Sequence, residues 1–265
     1  MHDFAYHRPS DLAAATSLLR EAADPKLLAG GMTLLPALKN RLAAPSDLID
    51  LAGIPDLVGI RRDQEHLRVG AMTCHFEVAR SDEVRRAVPV LAILAGSIGD
   101  PAVRHRGTLG GSAAAADPAA DYSAALVGLD ASIETTERTI AADEFFRGLF
   151  ETALRPAEII TGVRFTVPDD ARYAKVRHPA SGYPVAGVMV ARFGDRVRVA
   201  VTGAGPTVFR LGAVEAALMR DFWPESARPF VVPPEELMGD LHCSAEYRSH
   251  LIAVLIRRAV QDFHR

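Results

Sequence analysis

The residues best suited to chemistry in this sequence are two glycine pairs in its amino-terminal half. The first lies in Ala29-Gly30-Gly31-Met32-Thr33-Leu34, where a short apolar segment runs into a turn and a helix start. Glycine has no Cβ, so backbone amides at such a turn can meet an anion directly. A diphosphate would fit there, although an ordinary strand-to-helix turn explains the pair at least equally well on local grounds.

The second pair belongs to a more specific motif, Gly107-Thr108-Leu109-Gly110-Gly111-Ser112, which continues through alanines to Asp117-Pro118 and Asp121. Two glycines, a hydroxyl residue and a run of the smallest side chains let the backbone come very close to a flat or extended ligand. Asp117 is also a favoured helix N-cap, with Pro118 at the first helical position, and Ser112 is a common turn residue. These structural roles are compatible with ligand contacts.

Other chemical signatures are missing from the sequence. Gly203-Ala204-Gly205 opens like a dinucleotide fingerprint, but Val208 stands where the third glycine is needed and Pro206 stiffens the turn. No Walker lysine, HExxH or GxSxG motif occurs. Cys74 and Cys243 form no CxxC pair, so this chain alone can build neither a disulfide framework nor an iron-sulfur site. Any redox chemistry therefore needs an organic cofactor.

Composition excludes several classes of protein. Half of the 265 residues are hydrophobic and a quarter are charged, which predicts an ordinary globular protein with a substantial core. The net charge of -3, with arginines scattered singly or in pairs, argues against nucleic acid as a partner. The amino terminus lacks an apolar export signal, and the longest apolar stretch, Val88 to Ala95, is too short to span a bilayer. We expect a cytoplasmic protein.

Apolar periodicity, together with glycine and proline breaks, predicts the elements that hold the two glycine motifs. The predicted helices run from an N-cap at Ser10 to about Ala23, and over 34–42, 72–95, 121–129, 211–220 and 245–263. The predicted strands cover 26–29, 47–50, 57–61, 66–70, 133–135, 159–167, 173–177, 184–192 and 197–202. Residues 99–111 are predicted as a loop-rich region, with Asp117 beginning the next helix, and a domain boundary is predicted at Pro168-Asp169-Asp170.

Both glycine motifs, with Gly70-Ala71-Met72-Thr73 between them, resemble the FAD-binding medium subunit of the carbon monoxide dehydrogenase and xanthine dehydrogenase family. The resemblance runs over essentially the whole chain, including Lys175-Val176-Arg177 and Gly203 to Thr207. It implies an α+β fold in which residues 1–168 form a two-lobed FAD-binding domain of the vanillyl-alcohol-oxidase (PCMH) type, with lobes of about 1–55 and 56–168. Residues 171–265 would form a smaller domain with a three-stranded antiparallel sheet and a helix bundle.

The resemblance also implies which residues contact FAD. Both glycine turns would bind the diphosphate, Asp121 the ribityl or ribose portion, and Ile98 the adenine. Ile160 and Lys175 would approach the isoalloxazine, and Tyr183 would shield or stack on that ring. The full implied set is Ala29, Gly30, Gly31, Met32, Thr33, Leu34, Ala71, Ile98, Thr108, Gly110, Gly111, Ser112, Asp117, Asp121, Ile160, Lys175 and Tyr183.

The sequence departs from the family pattern at three of these positions. Met32 replaces a polar residue, Thr33 replaces serine, and Ser112 stands where asparagine is common. Such changes alter single hydrogen bonds and leave the backbone donors in place. No cysteine-bearing insertion is present, so this is not the type of flavin subunit that carries its own extra iron-sulfur cluster.

The implied function is that of the FAD subunit of a multi-subunit molybdenum hydroxylase. Partner subunits, one small with [2Fe-2S] clusters and one large with the molybdopterin cofactor, would complete a dimer of heterotrimers. Electrons would pass through the FAD to an external acceptor, with no catalytic acid, base or metal ligand on this chain. Two alternatives remain open: a stand-alone FAD-dependent oxidoreductase or oxidase that acts directly on a small molecule, and a scaffold that has lost its cofactor.

Overall fold

A computed structural model of the chain describes residues 1–264. The first unit is a small parallel sheet of order β1-β3-β2 with two helices, and it matches the predicted α/β unit. Asp11, not Ser10, caps the first helix, because its carboxylate accepts the backbone amide of Ala14 at 2.8 Å. The elements of this unit are β1 (Ala5–His7), α1 (Leu12–Glu21), β2 (Pro25–Leu28), α2 (Leu34–Lys39) and β3 (Asp47–Asp50).

The second unit is an antiparallel sheet of order β4-β5-β10-β6-β7 with helices packed against it. A short hairpin, β8-β9, lies outside that sheet. The elements are β4 (Ile60–Arg62), β5 (His66–Gly70), α3 (His75–Arg80), α4 (Asp82–Ala87), α5 (Pro89–Gly96), α6 (Pro101–Arg106), α7 (Leu109–Ala115), α8 (Asp121–Gly128), β6 (Ser132–Thr135), β7 (Thr139–Ala141), α9 (Ala142–Phe145), β8 (Phe146–Gly148), β9 (Glu151–Thr152) and β10 (Ile160–Thr166).

The third unit is an antiparallel sheet of order β11-β12-β13-β14 covered by two helices. Its apolar core lies between the sheet and these helices, while Met189, Ala191 and Ala200 on the other face join the core of the second unit. The sheet is thus buried on both faces. The elements are β11 (Asp170–Arg177), β12 (Pro184–Phe193), β13 (Arg196–Thr202), β14 (Phe209–Arg210), α10 (Gly212–Arg220) and α11 (Ala245–Gln261).

The α+β class predicted from the sequence is confirmed, but several elements differ. The region predicted as one helix over 72–95 is three helices, because Ser81 ends one and caps the next and Pro89 begins the third. The predicted loop region 99–111 is wrong: Asp100 caps α6, and Thr108 caps α7. The periodicity of apolar residues does not resolve such short helices, because their caps are only a few residues apart.

Three smaller predictions also need correction. Asp117 does not begin a helix; its carboxylate accepts the amide of Ala119 at 2.8 Å in a local turn, and α8 starts at Asp121. The strand predicted from residue 57 starts at Ile60. The carboxyl-terminal sheet has four strands instead of three, because the two-residue β14 pairs with β13.

The domain boundary near residues 168–171 stays a prediction. No helix within residues 1–264 is long and apolar enough to cross a membrane.

Candidate cofactor site

The two glycine motifs, from different units of the chain, meet in the structure. An ideal Cβ at Gly30 would lie 2.0 Å from the carbonyl oxygen of Arg106 and 2.8 Å from the Cα of Gly107. A Cβ at Gly111 would lie 3.2 Å from the Cβ of Ala29. Only glycine at position 30 permits this backbone contact, so the two turns can close on each other only with Gly30 in place.

A cleft of about 390 Å³ opens between these turns, and it is mostly apolar. Every residue of the implied FAD set lines it except Lys175. Tyr183, 40% exposed, lies at its rim, directly before β12. The structure therefore brings together residues that span more than half of the chain, from Lys26 to Tyr183.

The backbone amides of the two turns are not equivalent. Those of Gly30 to Thr33 donate to no acceptor within residues 1–264, and Gly31 takes a left-handed φ of 77° that turns the chain. In the second turn, by contrast, Gly110 donates to the carbonyl of Ala71 at 2.8 Å and Gly111 to the Thr108 hydroxyl at 3.1 Å. The first turn keeps free donors for an anion, whereas the second offers close approach and small side chains.

Lys175 lies behind the cleft and binds the carboxylate of Asp121. Its ammonium donates to Asp121 Oδ1 at 2.6 Å, and it also reaches the carbonyls of Ser97 and Gly182, both at 3.3 Å. The Tyr173 hydroxyl donates to the same Oδ1 at 2.8 Å. Burial raises the pKa of Asp121, and Lys175 and Tyr173 oppose that shift. Since both donors use one oxygen of a cleft-lining carboxylate, its other oxygen is available to a ligand hydroxyl.

Glu158 is a cleft residue that the sequence reading missed. Burial opposes ionisation of its carboxyl, but hydrogen bonds from Arg138, Thr135 and the backbone amide of Arg155 lower its pKa to about 2. The carboxylate thereby fixes the turn that delivers Ile160 to the cleft.

His75 is a second missed cleft residue, and it supports the second glycine turn. Its backbone amide donates to the carbonyl of Gly107 at 2.9 Å, and its ring packs so closely that a Cβ at Gly107 would lie 2.6 Å from Nε2. Burial lowers the pKa of His75 to about 4, and nearby Arg104 adds to the shift. Within residues 1–264, the buried Nδ1 of His75 and the hydroxyl of the neighbouring Tyr122 have no hydrogen-bond partner.

We expect His75 to make folding stability fall as pH drops through the range from 6.5 to 4. The folded state binds this proton less readily than the unfolded state, so acid favours unfolding there and the loss is complete below pH 4. Between pH 7.5 and pH 5 the expected loss is about 2 kcal/mol. Urea unfolding of the native chain and of His75→Leu at both pH values measures it as the difference between the two proteins. Equal pH dependence in the two would contradict this assignment.

Further lining residues escaped prediction because most of them carry no motif. Some are sequence neighbours of the glycine motifs, and these could have been found by extending each motif along its element. Others, such as Leu51 and Leu154, come from segments with no chemical signature. The missed set is Lys26, Leu27, Ala37, Leu51, Met72, His75, Val103, Gly107, Ala114, Ala115, Ala120, Leu154, Glu158 and Ile159.

Comparison with known proteins gives a consistent result. Residues 2–168 match the family described as the FAD binding domain in molybdopterin dehydrogenase. The carbon monoxide dehydrogenase medium chain of Afipia carboxidovorans is 33% identical, with 97% of this chain and 96% of that one covered. The nicotine 6-hydroxylase medium subunit of Paenarthrobacter nicotinovorans is 34% identical, with the same coverage.

Among solved structures, quinoline 2-oxidoreductase from Pseudomonas putida 86 aligns with a TM-score of 0.89 at 27% identity. The alignment covers 98% of this chain and 96% of that one. A match of this extent relates the whole architecture, including the carboxyl-terminal sheet that lies outside residues 2–168. The chain belongs to the family of FAD-binding domains in molybdopterin dehydrogenases.

Proposed function

We propose that this chain is the FAD-binding subunit of a multi-subunit molybdenum hydroxylase. Its role is to hold FAD where electrons from the [2Fe-2S] clusters of a partner subunit can reach an external acceptor. The observation that carries the proposal is the contact between Gly30 and the Arg106-Gly107 backbone, which makes one cleft from two units. The relatives support it, since they are named as medium chains or medium subunits of dehydrogenases and hydroxylases.

The residues of the cleft fit FAD in chemical character. The free amides of Gly30 to Thr33 suit the diphosphate, and the unengaged oxygen of Asp121 suits a hydroxyl of the ribityl or ribose portion. The apolar side chains of Ile98 and Ile160 and the ring of Tyr183 suit the flat ring systems. The remaining residues of the implied set would enclose the cofactor.

The chain supplies binding and position, whereas bound FAD would supply the redox chemistry. Gly110 and Gly111, with their amides already engaged, keep the second turn rigid against the cofactor. The Asp121–Lys175 pair would fix one polar group of the cofactor and exclude water behind it. We propose no catalytic acid or base on this chain.

The proposal predicts that the purified chain is yellow and carries about one FAD per chain. The measurement is the absorbance spectrum near 450 nm, followed by chromatographic identification of the released flavin. Activity with a small-molecule substrate should require co-expressed partners. Full activity of the isolated chain would favour the stand-alone oxidoreductase, and a chain that stays colourless after incubation with FAD would favour a scaffold without cofactor.

We propose a small [2Fe-2S] subunit and a large molybdopterin subunit as partners, assembled as a dimer of heterotrimers. The mass of the complex purified with its co-expressed neighbours tests that stoichiometry. The cytoplasmic location stays a prediction from the sequence.

A further inference from the structure

A surface groove at the carboxyl end of α11 is separate from the cofactor cleft. It has a volume of about 520 Å³, and its walls include Trp223, Arg228, Arg257, Arg258, Gln261 and His264. We call it the Trp223 groove. None of its walls contributes to the cleft between the glycine turns.

The Trp223 groove lies at the opposite end of the carboxyl-terminal sheet from the cleft. Near the start of α11, Arg248 donates to the carbonyl of Val185 at 2.6 Å, next to Tyr183 at the cleft rim. Beyond the end of α11, the guanidinium of Arg172 donates to the carbonyl of Asp262 at 3.2 Å. On α11 the groove is lined only from Val254 onward, about 9 Å beyond Arg248 along the helix, and the groove and the cleft share no lining residue.

The groove is positively charged, although the whole chain is negative. Its three arginines face one carboxylate, that of Glu225, while the chain has a net charge of -3. Glu225 lies 3.7 Å from Arg228, and within residues 1–264 neither Arg257 nor Arg258 makes an ion pair. Arg257 uses only its Nε, which donates to the carbonyl of Ala253 at 3.3 Å. Several guanidinium donors therefore remain available.

An exposed aromatic pair forms another wall of the groove. The ring of Trp223 stacks on His264 at a centroid distance of 4.2 Å and an interplanar angle of 8°. Trp223 is the only tryptophan of the chain and is 53% exposed. Tryptophan and arginine are the residues that most often dominate the binding energy of protein interfaces. Guanidinium groups also match carboxylates with paired hydrogen bonds.

We propose that the Trp223 groove binds an acidic segment of a partner subunit. Carboxylates of that segment pair with Arg257 and Arg258, and an adjacent apolar side chain packs on Trp223. The inference rests on the proposed function only in that the chain assembles with other subunits. In this proposal the Trp223 groove contributes to subunit assembly, and the cleft next to Tyr183 binds the cofactor.

Charge reversal tests the groove in the assembled complex. We expect Arg257→Glu with Arg258→Glu to weaken association with the co-expressed subunits by at least tenfold in Kd, because attraction becomes repulsion. The matched control is Arg85→Glu with Arg86→Glu, two exposed arginines on α4 that give the same change in net charge. Sedimentation at several salt concentrations measures Kd, and the control should match the native complex.

The flavin content of each variant separates this proposal from the proposed function. The groove variant should keep the native ratio of absorbance at 450 and 280 nm, since the groove and the cleft share no lining residue. Native Kd in the groove variant overturns the groove proposal whatever the flavin content. A chain without flavin contradicts the proposed function, yet leaves the assembly measurement valid.

Photo-crosslinking identifies the occupant. Gln261→p-benzoylphenylalanine, in a complex that is otherwise native, places a photoreactive group on the exposed wall of the groove. We expect the crosslinked peptide to come from a partner subunit and to contain clustered aspartate or glutamate. A peptide from a second copy of this chain, a peptide without acidic residues, or no crosslink in the intact complex would overturn the proposal.

Discussion

Gly30→Ala is expected to abolish retention of FAD during purification and to raise the Kd for added FAD by at least a hundredfold. The new Cβ would lie 2.0 Å from the Arg106 carbonyl oxygen and 2.6 Å from its carbon, both backbone atoms. Neither can rotate away as a side chain would, so the two turns must separate and the cleft between them must widen. A hundredfold change in Kd corresponds to about 2.7 kcal/mol. Titration of the apo chain with FAD, followed by flavin fluorescence, measures it.

Gly212→Ala is the matched control for this experiment. A Cβ at Gly212 meets nothing within 4 Å, and the residue lies at the start of α10, away from the cleft. This variant should bind FAD as the native chain does. Because overpacking costs typically 1–3 kcal/mol, circular dichroism must first show that Gly30→Ala is folded. A folded Gly30→Ala chain with the native Kd would refute the idea that the two turns hold the cofactor together.

Gly111→Ala tests the same contact between the two turns with a smaller steric overlap. Its Cβ would lie 2.9 Å from the Thr108 hydroxyl, which can rotate, and 3.2 Å from the Cβ of Ala29, which is fixed to the backbone but needs to shift by only a few tenths of an ångström. The expected loss of affinity is therefore smaller than for Gly30→Ala. A bulkier residue at 111 should abolish FAD retention altogether, since it would fill the space between the turns.

The sequence located the first glycine turn correctly because its signal is local. A glycine pair after a short strand restricts the backbone at that point, and the structure keeps the strand β2 and the helix α2 on either side of Gly30 and Gly31. The contact between Gly30 and Arg106 is different, since 76 residues separate them. Only tertiary packing reveals that the first glycine faces the backbone of the second motif.

Other features of the site could not be predicted for the same reason. The chemical type of Lys175 and its place in a strand were readable, but its pairing with Asp121, which lines the cleft, was not. Likewise, no pattern indicated that the amides of Gly110 and Gly111 donate hydrogen bonds within the protein. The acceptor of the Gly110 amide is the carbonyl of Ala71, which is distant in sequence. Side-chain type predicts chemistry, whereas the choice of partner requires the fold.

The second large expected effect concerns the buried pair behind the cleft. Lys175→Met should destabilise the chain by about 3–5 kcal/mol, because it leaves the Asp121 carboxylate buried without its cation. The two side chains are only 6% and 1% exposed, so water cannot replace the lost partner. Urea unfolding of the apo chain at pH 8 measures the change in free energy of unfolding.

The pH dependence of that loss follows from the carboxyl group. Burial already raises the pKa of Asp121 against the opposing effect of Lys175, so removal of the ammonium must raise it further. A folded state that binds this proton more readily than the unfolded state gains stability as pH falls. Lys175→Met should therefore be less destabilising at pH 5 than at pH 8. Tyr173→Phe, which removes only the other donor to Oδ1, should show the same direction with a smaller magnitude.

A double-mutant cycle separates the pair from other roles of its members. Asp121→Asn with Lys175→Met removes both charges, so the double variant should lose less stability than the sum of the single variants, with a coupling of about 1–3 kcal/mol. Additive losses would show that the pair carries no interaction energy. If the double variant recovers stability but still fails to bind FAD, the ion pair matters for the cofactor beyond its place in the fold. We would attribute such a loss of FAD binding to the free oxygen of Asp121. The amide of asparagine keeps the shape of the site but lacks the negative charge that a cofactor hydroxyl would meet.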